Sequence, residues 1–512
     1  MRLRDFSPFH FDISEVEAGS TTHLRSMRLS FREGMLTGIM GVFTGGVVLT
    51  GFALSLGANE FMIGLLAAIQ VGVNLLQIRA FRRLEKHGQR KAMAVHFATL
   101  ARLMWIAIAA VTFIPIPALQ PYKIWLFFIL FAISAGFGIF SLVPWVSWLV
   151  DLAPEKVRGR FYAQRNFAGG ALGVILGVLA GKFIDWWNAQ QFAPAPYGFV
   201  VLTSCGMIFG LWAVRVIKQM HEPPFTPPPA RLTFWESLKI PFHDPNFRRL
   251  FYFRITYDLS MGIAGAFYGV YMLTQAGLSY FFVSAMAMLS TLTNLLALKP
   301  WGIIIDRFGN KPVLQICMIG KALFALLWIF TTPDTIWLFI LVHLLGVFDA
   351  GNTLAIPNLV YKLAPANRRA NYIAVDGTVV GIAATIAPLI GGGLALLFSG
   401  WQLTLGGFHW AHFHFLFVTA ALLRLGTFVT LHYVHEPVSK SMKHVIRVFW
   451  PTRSINIFEG FQQALHALLA PSRSMIEKLV ERHNGKSSRR RNDAIKAKKE
   501  YLGYQEKREE NL

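Results

Sequence analysis

Gly302-Ile-Ile-Ile-Asp306-Arg307-Phe-Gly309-Asn-Lys311-Pro312 is a short charged segment pinned between two long apolar runs. A weaker echo, Phe81-Arg82-Arg83-Leu-Glu85-Lys86-His-Gly88-Gln-Arg90-Lys91, lies in the first half of the chain. Acid, base, glycine and base recur in one order, each time after the second apolar run of a half. That recurrence predicts a duplicated membrane bundle.

Composition agrees. The 512 residues are 54% hydrophobic and only 15% charged, where a soluble domain averages about 25% charged. The net charge of +22 would suit nucleic acid if it were gathered on one soluble face. It falls instead in alternate loops and in the C-terminal tail, the pattern of positive-inside topology. No nucleic-acid partner is expected; the bilayer is. Cys205 and Cys317 both sit inside apolar runs, as small packed hydrophobes rather than a disulfide.

A span needs about 20 apolar residues. Twelve candidates follow: 33–56, 60–79, 91–114, 123–150, 163–183, 197–217, 248–274, 279–301, 312–331, 335–361, 372–398 and 412–434. They are called spans 1 to 12 below. Residues 1–32 precede them as an N-terminal segment, and 33–217 form a first six-helix bundle. Residues 218–247 connect it to a second bundle, 248–434, and 435–512 form a basic tail. Lys and Arg crowd the 2–3, 4–5, 8–9 and 10–11 loops and the connector, whereas the opposite loops offer only Lys123 and Lys182. Both termini and the connector are therefore read as cytoplasmic, in a multi-pass protein of the plasma membrane. The connector runs from a proline-rich stretch, 221–229, into a short interfacial helix over 233–239. In the tail, 455–482 has helical apolar spacing and 486–512 is a solvated basic run.

Leu152-Ala-Pro154 recurs as Leu363-Ala-Pro365 at an offset of 211, and the charged segments at 81 and 302 recur at an offset of 221. Two parallel six-helix halves fit a pseudo-two-fold axis along the membrane normal.

Six plus six helices, a basic connector, and a repeated Gly-x-x-x-Asp-Arg-x-Gly-x-Lys segment together resemble the major facilitator superfamily of secondary transporters. The resemblance covers roughly residues 30–435; the 302–312 copy fits the family signature. The first copy departs from it, with Phe81 in place of Gly and Glu85 in place of Asp. The resemblance implies alternating access about a cavity lined by spans 1, 4, 7 and 10. It also implies that the charged segment of one half packs on span 5 or 11 of the other. The expected cytoplasmic gate is Gly302, Asp306, Arg307, Gly309, Lys311, Arg165, Asp376, Glu85 and Lys86. Asp306 would bridge to Arg165, and Asp376 would face Arg83 or Lys86. Gly302 would allow close helix approach, Gly309 a tight turn, and Pro312 would start the next helix. The family's drug-antiporter signature needs a proline in the span 5 glycine run, and none is present.

An ionisable group inside a membrane is costly, so each one is a functional candidate. Arg254 and Asp258 lie four apart on span 7, and His343, Asp349 and Asn352 share span 10. Asp349 is the expected proton or substrate carboxylate, with a structural pair to Arg424 or Lys321 as the plain alternative. Trp145 leads the aromatic candidates on span 4, and Pro144 and Pro357 would break their helices. Histidines 412, 414, 432 and 435 lack metal spacing. No metal, cofactor or catalytic residue is expected, and no enzyme motif is visible. The reading is a monomeric secondary transporter of a small organic solute, coupled to protons or another ion. The alternative is a sensor, or an assembly or pigment-handling protein on the same fold, without transport.

Overall fold

Long apolar runs bounded by Gly, Pro and basic residues fold as helices in the computed structural model. It describes residues 21–115, 122–153, 155–191, 193–225, 234–405, 408–437 and 439–449. The chain divides into units Met1–Ile446 and Arg447–Leu512. The first is described here; the expected tail helix at 455–482 and basic run at 486–512 lie outside the described residues.

The protein is all-α: twelve membrane helices in two pseudo-symmetric six-helix bundles. Span 1 is Thr21–Phe43 plus Gly46–Ser55; span 2 is Glu60–Gly72 continued through a tight turn by Gln77–His87. Spans 3 to 6 are Arg90–Thr112, Lys123–Leu152, Glu155–Gln190 and Ala195–Lys218. A helix at Phe234–His243 follows, where the short interfacial one is expected. Span 7 is Pro245–Gly265 and Phe267–Thr274. Spans 8 and 9 are Tyr280–Phe308 and Asn310–Leu327. Span 10 is Ile336–Leu344 and Val347–Leu363, and spans 11 and 12 are Arg369–Leu397 and His412–His432. Among the described residues eleven helices are long and apolar enough to cross a membrane. Span 7, which carries Arg248, Arg249, Arg254 and Asp258, is not among them.

Two local expectations are corrected, and one element is added. The 302–312 segment is not a loop: span 8 runs helical to Phe308 and span 9 begins at Asn310, leaving Gly309 alone between them at φ +98°. In the first half Gly88, at φ +67°, and Gln89 separate the helices that end at His87 and begin at Arg90. Both glycines sit in the left-handed region that glycine tolerates. Pro144 and Pro357 lie inside unbroken helices; span 10 breaks instead at Leu345 and Gly346, which cap the end of one segment and the start of the next. A two-stranded hairpin, Gln402–Leu405 paired antiparallel with Phe408–Ala411, precedes span 12 and is not legible in the apolar pattern.

The packing is lopsided. At the end opposite the basic loops, one apolar cluster joins both halves: Phe52, Phe127 and Phe199 with Phe267, Val283 and Phe413. At the basic end the clusters are separate. One lies wholly within the second half around Phe247, Trp301 and Leu359, and two lie in the first half around Trp148 and Leu84. Apolar burial is the main cohesive term, so the halves are held together at one end and part toward the basic end.

Candidate functional site

The groups that flank this parting are ionic. Glu33 on span 1 receives a hydrogen bond from Thr37 at 2.8 Å and an ion pair from Arg165 of span 5 at 2.7 Å. Arg165 also donates to the Ser30 carbonyl, and its guanidinium lies 6.0 Å from the Trp145 ring. In the second half Arg254 on span 7 lies between two carboxylates, 3.4 Å from Asp376 of span 11 and 3.7 Å from Asp258 one turn along. Taking a charge out of water costs several kcal/mol unless it is paired, and both sets are mostly buried.

The expected gate pairs, foreseen for a state closed at the cytoplasmic side, are not formed in this conformation. Arg165 is held by Glu33 and Asp376 by Arg254, each inside its own half. Asp306 is exposed in the last turn of span 8, and neither it nor Glu85 has an ion pair among the described residues. Arg83 rests on the Phe97 ring at 5.2 Å and Arg307 on Phe308 at 5.3 Å, while Lys86 is exposed. No bridge from span 8 to span 5 is formed among the described residues, since Arg165 is taken by Glu33. Gly302 makes no close approach: a methyl there would meet only Leu354, at 4.0 Å.

Asp349 pairs with Lys321 at 2.8 Å through one oxygen, and the other accepts from the same ammonium at 3.1 Å. It is the structural partner foreseen as the alternative. Asp349 stands in the first turn of Val347–Leu363, where the helix dipole favours a carboxylate. Arg424, 1% exposed, donates to the Lys321 carbonyl at 2.9 Å. Trp145 packs edge-on against Trp148. His343 is buried, with Nδ1 2.7 Å from the Phe339 carbonyl and its ring against Trp328, as a satisfied core histidine would be. Asn352 is 2% exposed, and neither its amide oxygen nor its nitrogen has a hydrogen-bond partner among the described residues. No group of three His, Cys, Asp or Glu among the described residues is placed to hold a metal ion.

Lys311 and Gly309 belong to a set of contacts whose centre is Glu436. Glu436 accepts from the Asn310 backbone at 3.1 Å, the Asn310 amide at 2.8 Å, the Lys311 backbone at 2.7 Å and the Lys362 ammonium at 2.9 Å. The Lys311 ammonium caps the end of span 12 through the His432 and Val434 carbonyls. In the first half Glu222 accepts from the Lys91 backbone at 3.1 Å, Arg90 pairs with Asp151, and the Lys91 ammonium donates to the Met220 carbonyl. Sequence reasoning missed both glutamates. The signal was present: His221-Glu-Pro223 recurs as His435-Glu-Pro437, at the end of each half.

Burial alone would raise the Glu436 carboxyl, but the four hydrogen bonds, that from the Lys311 backbone first, hold it below the usual carboxylate range. A depressed pKa contributes stability above the unfolded value of about 4.3, and that stability is lost as pH falls through the folded value. Glu436→Gln is expected to destabilise the protein by about 3 kcal/mol. Thermal unfolding at neutral pH reads this, and the difference from wild type should shrink in acid; an equal difference at neutral pH and in strong acid would contradict it.

At the end opposite the basic loops, both carboxylate oxygens of Asp185 on span 5 accept backbone N–H groups of span 8, Tyr280 at 2.9 Å and Phe281 at 2.8 Å. Glu60 of span 2 lies 3.6 Å from His412 of span 12. These contacts join the halves where the shared apolar cluster does.

Comparison with known proteins adds three findings. Residues 250–452 match the sequence model of the Major Facilitator Superfamily. The class H tetracycline resistance protein of Pasteurella multocida is 29% identical over 87 residues, 17% of this chain and 21% of that protein; the chain thus matches about a fifth of that relative's length. The crystal structure of a D-xylose-proton symporter is similar at 16% identity and TM-score 0.60, covering 82% of this chain and 100% of that one. The nucleoside transporter NupG is similar at 13% identity and TM-score 0.59, covering 81% and 99%. The xylose transporter XylE from E. coli, in an inward-open conformation, is similar at 15% identity and TM-score 0.56, covering 84% and 100%. At such identities the likeness is one of fold.

Proposed function

We propose, on the premise that the chain belongs to the major facilitator superfamily, that it carries a small organic solute across the plasma membrane by alternating access, with the proton as coupling ion. The observation that carries this reading is the packing asymmetry, one apolar cluster joining the halves at one end and separate clusters at the other. Such a body opens toward its basic end, which the positive-inside rule makes cytoplasmic, so the conformation is inward-open. Closure at that end and opening at the other would complete the cycle. The coupling group we favour is Asp349. Its side chain is 43% exposed while that of its partner Lys321 is 7% exposed. A proton on the carboxylate would dissolve the pair and leave a buried cation to be resettled, which links proton binding to conformation.

The test uses purified protein in liposomes holding a pH-sensitive dye. A panel of pentoses, nucleosides and amphipathic ring-bearing solutes is first screened by thermal shift, since a binder stabilises the folded state. A stabilising solute is expected to drive proton flux. A solute that stabilises the protein but moves no protons and is not itself transported would favour the sensor reading.

A further inference from the structure

The two buried ionic sets flanking the parting occupy equivalent places in the two halves. Glu33 and Arg254 stand at the offset of 221, as do Thr37 and Asp258; Arg165 and Asp376 stand at the offset of 211. These are the same offsets at which the charged segments and the Leu-Ala-Pro repeats recur. At both charged places the sign is reversed between the halves: glutamate against arginine on spans 1 and 7, arginine against aspartate on spans 5 and 11. Each residue nevertheless finds its partner inside its own half, Arg165 on Glu33 at 2.7 Å and Arg254 on Asp376 at 3.4 Å.

Local pairing does not require that reversal. Glutamate on the first helix and arginine on the fifth would pair equally well in both halves. The reversal matters only when equivalent places meet. Residues related by a two-fold axis converge on that axis as the halves close, and like signs would repel there while opposite signs attract. We propose that closure of the basic end exchanges the partners, Glu33 passing from Arg165 to Arg254 and Asp376 from Arg254 to Arg165. The exchange conserves two ion pairs, so no charge is left bare in a low-dielectric interior, where an uncompensated one is strongly destabilising. Asp258 has the uncharged Thr37 at its equivalent place and stands outside the exchange. The inference rests on the alternating-access reading for its motion, but its test needs neither solute nor proton gradient. Absent flux would count against that reading alone.

The experiment is a charge reversal by halves. Glu33→Arg with Arg165→Glu keeps the pair inside the first half. On closure it sets the new arginine of span 1 against Arg254 and the new glutamate of span 5 against Asp376. Adding Arg254→Glu and Asp376→Arg restores opposite signs at both places, in a background that carries Asp258→Asn throughout so that no second carboxylate faces position 254. Spin labels on cysteines replacing Val150 and Tyr361 report the gap; these positions are equivalent, 37% and 48% exposed, at the basic ends of spans 4 and 10. The background carries Cys205→Ala; Cys317 is fully buried. Relative to wild type, the double variant is expected to lose the short-distance population by about tenfold or more, on the order of what two repulsive contacts impose. The quadruple variant is expected to regain it. A purely local role predicts that the double variant behaves as wild type. An unchanged distribution in the folded double variant, or no recovery in the folded quadruple, overturns the proposal.

Discussion

Asp349→Leu is expected to destabilise the protein by about 3 kcal/mol, and adding Lys321→Met is expected to recover most of that loss. Lys321 is 6% exposed, gripped by both oxygens of Asp349, with its ammonium 4.3 Å from the Phe324 ring. Arg424, the second cation beside it, is 1% exposed and has no ion pair among the described residues. Removing the carboxylate therefore leaves two buried cations and takes away their neighbouring anion. Removing Lys321 as well leaves apolar side chains of similar bulk and one cation that already donates to a backbone carbonyl. The cycle isolates the pair energy because each step removes the same contact. It also separates structure from coupling. If Asp349 carries the proton, the restored double variant exchanges solute across liposomes but no longer accumulates it against a proton gradient. If the pair is only a strut, the double variant accumulates as wild type does, and the coupling role proposed for Asp349 is lost.

Much of the fold was legible because a membrane reads length and charge coarsely. About twenty apolar residues make a span whatever their order, and basic loops on alternate sides set the topology. Span 7 was read as a span despite its charges, of which Arg254 and Asp258 are taken up by pairing between helices and along the helix. The partner choices were less legible. Arg165 and Glu33 stand 132 positions apart along the chain, and Arg254 and Asp376 stand 122 apart; no local pattern joins them. The family resemblance sent Arg165 to Asp306 instead, a pair that this conformation does not form. The offsets that reveal Glu33 against Arg254 were nevertheless in the sequence, as was the His-Glu-Pro repeat that carries Glu222 and Glu436. Identity between the halves does not disclose the ionic sets. Equivalent positions under a two-fold axis can differ in sign, and the sign is then the information.

Asp185→Ala is expected to shift the population toward the state closed at the basic end by about 30-fold, the equivalent of about 2 kcal/mol. The first N–H groups of a helix have no partner within it, and the positive end of the dipole favours an anion. Asp185 supplies that anion to span 8 from the other half, at 2.9 and 2.8 Å. Two charge-assisted bonds would contribute about 3 kcal/mol or more if fully buried, but the aspartate is partly exposed and is discounted for solvent. Span 8 itself keeps its cap, because Ser279 accepts from the Phe282 N–H at 3.1 Å. The loss therefore falls on the contact between halves and not on the helix. Gly181, one turn earlier, gives an independent lever: a methyl there would lie 2.5 Å from the Tyr280 carbonyl oxygen, so Gly181→Ala pushes the same end apart by contact instead of by lost attraction. Both variants are read by the Val150 and Tyr361 labels, which should come closer. Unchanged distances in folded Asp185→Ala and Gly181→Ala would place the latch elsewhere, on Glu60 and His412. The two ends also compete for one motion. Asp185→Ala combined with Glu33→Arg and Arg165→Glu weakens closure at both, so its labels should stay apart, whereas Asp185→Ala alone draws them together.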